Sequence, residues 1–499
     1  MTGIPATDHQ DTGRRAFLKM LTAGTAMAVL PGFATNPRIS GATPVRGALG
    51  FQNAPQKPFS DIQMTLIHGR PPQDIEGVFY RNGPGQMRRG ADTIGHWFDG
   101  DGFIRAYRLT DGKLSLSGRF VETPKRSMDE KYGRFVTAGF GNVGDPDIRV
   151  SSPDDNNAAN TSLLAVEDML WALWEAGSPT ELNPGSLATK GQLTLGEGLA
   201  HMPFSAHPKV DPDGSIWNFG IAFGRPFAFL WHLRADGSVK KSRVVRLPAT
   251  AYMHDWVVTE TKVILPLQPW IMDGEGESFA ARLRWHKDQP IRYMVLEKSD
   301  FSTVGIYEAP AAFLFHTGNG WEDADGTLYF DACISSEPTL DAVRGAKLAA
   351  GEPFARKMPR MSLVTIEKSG RVTTESTAHH AEFPQVDPRN RTRNQGQVWS
   401  AVRAEPTPAA SFLYDGIMRT DWASGAQDRF HFGDDHIVEE HLFVPGKGQA
   451  GGWLLGSSLN LKAEASEFHI FRADRISDGP VATWRAPLPL PVGLHAVWV

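Results

Sequence analysis

The sequence predicts an all-β protein built from many short antiparallel hairpins. Asp-Gly pairs recur along the chain, and several stand between alternating apolar runs such as GFIRAYRLTDGKLSLSGRF. Such a pair is a strong hairpin signal, since both central positions of the tightest turn need a positive φ. The pairs begin at residues 99, 101, 111, 213, 236, 273, 325, 415 and 478. The 50 glycines and 35 prolines also favour short connections over long helices.

The arrangement of helical segments favours one closed β domain. Short helical pieces are predicted at SLATKGQL (186–193) and at LDAVRGAKLAAG (340–351). No longer helical segments alternate with the strands, which argues against a parallel sheet with crossover helices. Because no Pro/Ser-rich linker divides the chain, we expect a single domain over residues 43–499. A propeller is the architecture that accommodates this many hairpins.

Charge and cysteine content exclude several function classes. The net charge of −5 argues against a nucleic-acid partner, since a protein that neutralises phosphates needs a surplus of Lys and Arg. Cys333 is the only cysteine of the chain, which excludes an intrachain disulfide and cysteine-based zinc sites. Any metal would therefore be bound by histidines and carboxylates.

The N-terminal segment has the layout of a twin-arginine export signal. TGRRAFLK (12–19) precedes the apolar run MLTAGTAMAVLPGFA, which is too short and too weakly hydrophobic for a transmembrane helix. Ala34 and Ala42 stand among small residues that suit cleavage. We expect residues 1–42 to be a signal and leader recognised by the twin-arginine translocase, and the mature protein to work in the bacterial periplasm. A disordered basic tail is the alternative, and it leaves the apolar run unexplained.

Four of the sixteen histidines share a distinctive setting. His207, His254, His316 and His495 lie in FSAHPKVD, AYMHDWVV, FLFHTGNG and VGLHAVWV, among small or apolar residues at the ends of expected strands. Their separations are too wide for a helical metal motif, but they suit a propeller in which separate blades each send one imidazole to the axis. A lone histidine in such a run is usually a buried core residue, whereas the set is a candidate metal site.

Longer segments strengthen this interpretation. They are EGVFYRNGPG (76–85), HWFDGDGFIRAYRL (96–109), LWALWEAGSP (170–179), MHDWVVTETKVILPLQPW (253–270), EFPQVDPR (382–389) and LPLPVGLHAVW (488–498). Together with the histidine segments, and in this order, they resemble the carotenoid cleavage oxygenase family, which includes lignostilbene dioxygenases and the retinal pigment epithelium isomerase. The resemblance runs from about residue 58 to the end of the chain.

The resemblance implies a seven-bladed β-propeller, capped over its metal face by loops and short helices, with one non-haem Fe(II) on the axis. It implies that the four histidines named above are the iron ligands. Three carboxylates would stand behind three of them: Glu175 behind His254, Glu382 behind His316 and Glu440 behind His495. His207 would have no carboxylate partner. Glu439 adjoins Glu440, so a shift of one residue would exchange the two.

The chemistry of an all-histidine site favours an oxygenase. Neutral imidazoles suit Fe(II), and four of them leave two positions of an octahedral ion for O₂ and a nearby alkene. Without a carboxylate ligand, the electrons for O₂ activation would come mainly from a conjugated alkene, which is cleaved to two carbonyl products. The sequence has no nucleotide fingerprint, so no nucleotide or flavin is expected. Zinc is the alternative metal and would imply hydrolysis, for which no general base stands beside the ligands.

The substrate class is left open between related alkenes. The favoured substrate is a carotenoid or apocarotenoid. One alternative is a stilbene or phenylpropenoid, as in lignostilbene or isoeugenol oxygenases, and a second is a noncatalytic propeller that binds a polyene. A lipid-dissolved substrate also implies peripheral contact with a membrane.

Two segments supply candidate substrate residues. LPLQPWIMDGEGESFAARL (265–283) contains Trp270, Ile271, Met272 and Phe279, which would form the apolar rim of a substrate tunnel, unless the segment is an ordinary strand and loop. Lys125 is the candidate partner of a phenolate, with a solvated surface lysine as its alternative. No tyrosine stands near HWFDGDG, and this absence favours an apocarotenoid over a phenol.

Overall fold

The structure is a computed structural model that describes residues 46–352, 357–394, 396–403, 413–447 and 451–499. The predicted export signal and the domain boundary at residue 43 lie outside these residues. The described chain is dominated by strands, and none of its helices is long and apolar enough to cross a membrane.

The helices are few and short. The α-helices of the described residues are α1 (Pro124–Tyr132), α2 (Phe279–Arg282) and α3 (Ala342–Ala350). The 3-10 helices are Arg46–Phe51, Trp97–Asp99, Pro153–Asn156, Pro388–Asn390 and Ile476–Asp478. The strands are β1 (Phe59–Gln63), β2 (Thr65–Gly69), β3 (Gly77–Arg81), β4 (Arg88–Arg89), β5 (Asp92–Thr93), β6 (Phe103–Thr110), β7 (Lys113–Phe120), β8 (Ser162–Val166), β9 (Met169–Leu173), β10 (Thr180–Leu182), β11 (Thr189–Gln192), β12 (Lys209–Val210), β13 (Ile216–Ile221), β14 (Phe227–Leu233), β15 (Val239–Arg246), β16 (Val257–Val258), β17 (Lys262–Leu267), β18 (Trp270–Met272), β19 (Leu283–Trp285), β20 (Ile291–Glu297), β21 (Thr303–Ala309), β22 (Phe313–Glu322), β23 (Leu328–Ser335), β24 (Arg360–Ile366), β25 (Val372–Gln385), β26 (Gln397–Arg403), β27 (Gly416–Asp421), β28 (Gln427–His431), β29 (His436–Val444), β30 (Trp453–Asn460), β31 (Ala465–Arg472), β32 (Pro480–Arg485) and β33 (Ala496–Trp498).

Most of these strands form six antiparallel sheets. Sheet 1 is β1-β7-β6-β3-β33, sheet 2 is β11-β10-β9-β8, sheet 3 is β12-β13-β14-β15, sheet 4 is β16-β17-β20-β21, sheet 5 runs from β22 to β28 in chain order, and sheet 6 is β2-β32-β31-β30-β29. Two small hairpins, β4-β5 and β18-β19, lie outside them.

Apolar side chains between the sheets close them into a ring. Each consecutive pair of sheets shares a buried cluster: Ile104 and Leu163 (sheets 1 and 2), Trp171 and Trp231 (2 and 3), Phe219 and Leu265 (3 and 4), Ile264 and Phe330 (4 and 5), Ile417 and Leu454 (5 and 6), and Phe468 and Phe79 (6 and 1). Because sheet 6 packs back on sheet 1, the ring is closed, which is the arrangement of a β-propeller.

The two ends of the described chain complete neighbouring sheets. The C-terminal strand β33 pairs with β3, with Trp498 opposite Phe79. The early strand β2 pairs with β32, with Leu66 opposite Trp484. Seven blades would require the seven-stranded sheet 5 to supply two of them, and the blade count stays a prediction.

Local signals in the sequence predicted some elements correctly. Asp111 and Gly112 have φ of 49° and 68° and join β6 to β7, as expected for a two-residue hairpin turn. The helix predicted within 340–351 is α3, capped by the Asp341 carboxylate, which accepts from the backbone N–H of Arg344 at 2.9 Å. The helix predicted at 186–193 is wrong, because its second half forms β11 and pairs with β10.

Candidate metal centre

The four candidate histidines converge at the centre of the ring. His207 precedes β12, His254 precedes β16, His316 lies in β22, and His495 directly precedes β33, so four different sheets each contribute one. The Nε2 atom of His254 lies 2.9 Å from that of His207 and 3.1 Å from that of His316. The Nε2 atoms of His316 and His495 are also 3.1 Å apart.

The donor set fits a transition-metal ion. All four ligand atoms lie within 4.8 Å of one another, and no other group of this kind occurs among the described residues. Burial lowers the pKa of His207 and His316 well below the usual range, and the neighbouring imidazoles lower it further. These rings are therefore neutral and can offer lone pairs to a metal such as iron, cobalt or zinc.

Carboxylates orient three of the four rings. Glu175 accepts a hydrogen bond from Nδ1 of His254, Glu382 accepts one from Nδ1 of His316, and Glu440 accepts one from Nδ1 of His495 at 2.9 Å. Each bond places the proton on Nδ1 and leaves Nε2 directed into the cluster, which also makes the imidazole a better donor to a metal. Among the described residues, no carboxylate is hydrogen-bonded to the ring of His207, whose Nε2 lies beside that of His254.

The structure distinguishes Glu440 from its neighbour Glu439. The second oxygen of Glu440 accepts from the backbone N–H of Ala496 at 2.8 Å, next to the histidine that it orients. Glu439 instead binds the buried guanidinium of Arg105 at 2.7 Å. The register of β29 with β30 shifts between Val438 and His441, and at this irregularity the two glutamates bind different partners.

Three polar residues that follow the histidines along the chain tie their segments together. The Lys209 Nζ donates to Asp255 Oδ1 at 2.8 Å and to Thr317 Oγ1 at 3.0 Å. The backbone N–H of Thr317 donates to Asp255 Oδ2 at 2.7 Å. Burial acts to raise the pKa of the Asp255 carboxyl. The charge of Lys209 outweighs this effect, so the pKa of Asp255 lies below its usual value. This triad fixes three histidine segments relative to one another.

An aromatic cavity opens directly onto three of the histidines. Its volume is about 60 Å³, and its apolar walls include Phe98, Phe140, Trp174, Phe315, Phe383, Tyr414 and Leu494. The Phe315 ring stacks on the His254 imidazole, with centroids 3.9 Å apart and an interplanar angle of 1°. A second cavity of about 340 Å³ shares Phe140, Trp174 and Glu175 with the first. We call the first the inner cavity and the second the outer cavity; their shared residues make them neighbours.

Comparison with known proteins identifies the family to which the chain belongs. The family model described as retinal pigment epithelial membrane protein matches residues 51–499. The chain belongs to the carotenoid cleavage oxygenase family. Members of this family carry out oxidative C=C cleavage.

Relatives within the carotenoid cleavage oxygenase family act on different alkenes. The apocarotenoid-15,15'-oxygenase of Synechocystis is 28% identical over 90% of this chain and 95% of its own length. Resveratrol cleavage oxygenase 1 of Aspergillus fumigatus is 27% identical over 88% of this chain and 92% of its own length. Other relatives are named carotenoid cleavage dioxygenase and isoeugenol monooxygenase.

A solved structure shares the fold of this family member. The cobalt-substituted apocarotenoid oxygenase of Synechocystis superposes with a TM-score of 0.81 at 26% identity, covering 91% of this chain and 98% of the other. The prediction of a β-propeller is thereby confirmed. That structure is described as cobalt-substituted, so this relative holds a metal.

The substrate residues predicted from the sequence lie in three different settings. Phe279, on α2, lines the outer cavity. Trp270 is buried, with its ring 4.9 Å from that of Tyr252 and 5.5 Å from that of Phe313, and it lines neither cavity, so its place in a substrate rim stays a prediction. Ile271 and Met272 beside it are half-buried. The strand pairing of β18 with β19 turns Trp270 inward.

Lys125 does not take part in the lining of either cavity. Its Nζ binds Asp101 at 2.8 Å and Asp129 at 3.1 Å, and its side chain is 1% exposed. Both expectations for this residue are therefore wrong, since it is neither a phenolate partner nor a solvated surface lysine. It lies on α1, and the buried carboxylates of Asp101 and Asp129 neutralise its charge.

Sequence reasoning missed most of the aromatic walls. Trp174 adjoins Glu175 in LWALWEAGSP, so its position near the cluster could have been predicted from the expected position of Glu175. Phe140 lies in a loop without periodicity, and its position depends on Asp99, whose carboxylate accepts from the Phe140 and Asn142 backbone N–H groups at 2.6 and 2.7 Å. Such a contact between distant segments has no local sequence signature.

Proposed function

We propose that this protein is a non-haem Fe(II) dioxygenase that cleaves a conjugated C=C bond of a carotenoid or apocarotenoid with O₂, giving two carbonyl products. The observation that carries this proposal is the aromatic cavity that borders three of the four histidines. Among the described residues, its lining contains no lysine or arginine, and its charged groups are Glu175 and Glu382, each already bonded to a histidine. Such walls suit an apolar polyene.

Iron is the proposed metal because it can supply redox chemistry. Bound Fe(II) would activate O₂ beside the alkene, and zinc could not. His207, His254, His316 and His495 would hold the ion, while Glu175, Glu382 and Glu440 would keep three rings in the tautomer that binds it. No carboxylate of the described cluster takes part as a ligand, so the electrons for the reaction come from the substrate.

The surrounding side chains position the substrate and exclude water. The ring of Phe98 lies parallel to that of Phe315 within 9°, with centroids 6.1 Å apart, and Phe315 in turn covers His254. Phe140, Trp174 and Phe383 complete a wall that offers few hydrogen-bonding groups to water. A flat conjugated chain could lie against these rings with its reacting double bond at the histidines. Both oxygen atoms of O₂ would then be distributed between the two carbonyl products.

A stilbene or phenylpropenoid is the second candidate substrate. It is supported by the resveratrol-cleaving relative and by Tyr414, whose side chain lines the inner cavity. A phenol would need a polar partner in the cavity, and Lys125, which is bound to Asp101 and Asp129, is not among the residues that line it. For this reason we favour the apocarotenoid.

A substrate panel tests the proposal. Iron-loaded protein is incubated with apocarotenals, carotenoids, resveratrol and isoeugenol, and carbonyl products are identified by mass spectrometry, with zinc-loaded protein as the control. We expect aldehydes from an apocarotenal with iron and none with zinc. Products from resveratrol or isoeugenol alone would establish the second candidate. Tight polyene binding without any product would instead identify a noncatalytic propeller.

Export to the periplasm is a further part of the proposal, supported by the twin arginines before the apolar run. A periplasmic location would bring the enzyme close to lipid-dissolved substrates, with peripheral membrane contact at the mouth of the outer cavity beside Phe279. Replacing Arg14 and Arg15 by lysine should retain the protein in the cytoplasm when fractions are probed by immunoblot. An equal periplasmic amount of wild type and variant would contradict export by this pathway.

A further inference from the structure

A polar cavity lies on the other side of the histidine cluster. It has a volume of about 210 Å³, and its walls include Lys209, Asp255, Thr317, Gln385 and Arg391. His207, His316 and His495 also border it. We call it the axial cavity.

The histidines separate the axial cavity from the aromatic one. Phe315, which precedes His316, lines the aromatic cavity, whereas Thr317, which follows it, lines the axial cavity. In the same way Leu494 faces the aromatic side and Ala496 the axial side. A ligand in the axial cavity would therefore occupy a space distinct from that of the alkene.

The acidic groups at and near the axial cavity are already bound to other partners. Asp255 is bound to Lys209 at 2.8 Å, and Asp211 is bound to Lys298 at 2.6 Å. Glu440, which also lines the cavity, accepts from His495 Nδ1 at 2.9 Å and from the backbone N–H of Ala496 at 2.8 Å. Asp211 and Asp255 are the acidic groups that act electrostatically on Arg391. Among the described residues, the guanidinium of Arg391 therefore has no carboxylate partner of its own.

Arg391 is also short of hydrogen-bond acceptors. Its Nε atom is shielded from solvent and has no partner among the described residues. A shielded N–H group without an acceptor is unfavourable, because it loses the hydrogen bonds that it makes with water in the unfolded chain. A guanidinium is also the side chain best suited to bind a planar anion through paired N–H groups.

We propose that the axial cavity binds a small monovalent anion, a carboxylate or nitrate of about the size of formate, through the guanidinium of Arg391. The anion would supply the charge and the acceptors that the described residues do not. This proposal does not depend on the reaction at the aromatic face.

Thermal unfolding of the metal-loaded protein tests the site. Formate is titrated at constant ionic strength against a morpholine sulfonate too large for the cavity. We expect a saturable rise in Tm, since a ligand that binds only the native state stabilises it by RT ln(1 + [L]/Kd). Arg391→Gln should abolish the rise. Wild-type protein without a saturable response, or an unchanged response in Arg391→Gln, would overturn the proposal.

The chain offers a matched control on the same segment. Arg389 lies in the 3-10 helix Pro388–Asn390, is ion-paired with Asp387 at 2.6 Å, and has a 49% exposed side chain. Arg389→Gln should retain the full formate response, and its loss there as well would overturn the assignment to Arg391. Bromide-soaked crystals give an independent measurement: an anomalous peak beside the Arg391 guanidinium supports the site, and its absence from the axial cavity contradicts it. Neither readout uses turnover, so failure here is distinguishable from failure of the proposed oxygenase.

Discussion

Replacing His254 by alanine is expected to abolish iron retention and alkene cleavage together. Its Nε2 lies 2.9 Å from that of His207 and 3.1 Å from that of His316, so the substitution removes the ligand between two others. Loss of an outer carboxylate in a metal site typically lowers affinity by about 10- to 100-fold. Loss of the ligand itself should exceed about 100-fold, and we expect far less than one iron per chain after desalting.

A graded pair of variants separates loss of the ligand from general damage. Glu175→Gln keeps an oxygen that can accept from His254 Nδ1 but removes the charge, so iron affinity should fall by only about 10-fold. His431→Ala changes a histidine whose side chain is 52% exposed and should leave iron content unchanged. Iron content is measured by plasma emission spectrometry and activity by carbonyl formation. Full iron and activity in His254→Ala would refute the proposed ligand set.

Removing residues 495–499 is expected to lose both the iron and part of the fold's stability. The segment contains one proposed ligand and β33, which pairs Trp498 with Phe79 and Val497 with Tyr80. Val78 and Val499 exchange two backbone hydrogen bonds of 2.8 and 3.0 Å. At about 1 kcal/mol for each hydrogen bond and a similar amount for each half-buried apolar side chain, the free energy of unfolding should fall by roughly 3–5 kcal/mol.

The full-length variant His495→Gln distinguishes the two effects of the truncation. It removes the imidazole but retains β33, so it should lose iron while its unfolding free energy in the metal-free state stays within about 1–2 kcal/mol of wild type. Urea unfolding of both metal-free proteins measures the difference. A truncated protein as stable as His495→Gln would show that β33 contributes nothing to closure of the ring.

The candidate ligands could be predicted from the sequence because each histidine lies in a short segment that resembles a segment of the family. His207, His254, His316 and His495 stand among apolar neighbours, and a hairpin pattern is compatible with separate strands that deliver them to one centre, but the ligand set was implied by the resemblance to the family. Hairpin turns are equally local, as Asp111 and Gly112 show, since their φ angles depend on two residues. Local rules failed at 186–193, where pairing with β10 overrode the helical pattern.

The partners of buried charges could not be predicted, because they come from distant parts of the chain. Lys125 has the sequence context of a surface lysine, yet Asp101 neutralises it inside the protein. The resemblance favoured Glu440 over the adjacent Glu439, and only the folded chain shows that Glu439 binds Arg105 whereas Glu440 binds His495. The lack of a carboxylate partner for Arg391 among the described residues likewise becomes visible only when the aspartates near it are found bound to other lysines. Residue type and local pattern therefore determine which groups can bind a metal, whereas folding determines which charges are already satisfied, since electrostatic pairing depends on distance in space and not along the chain.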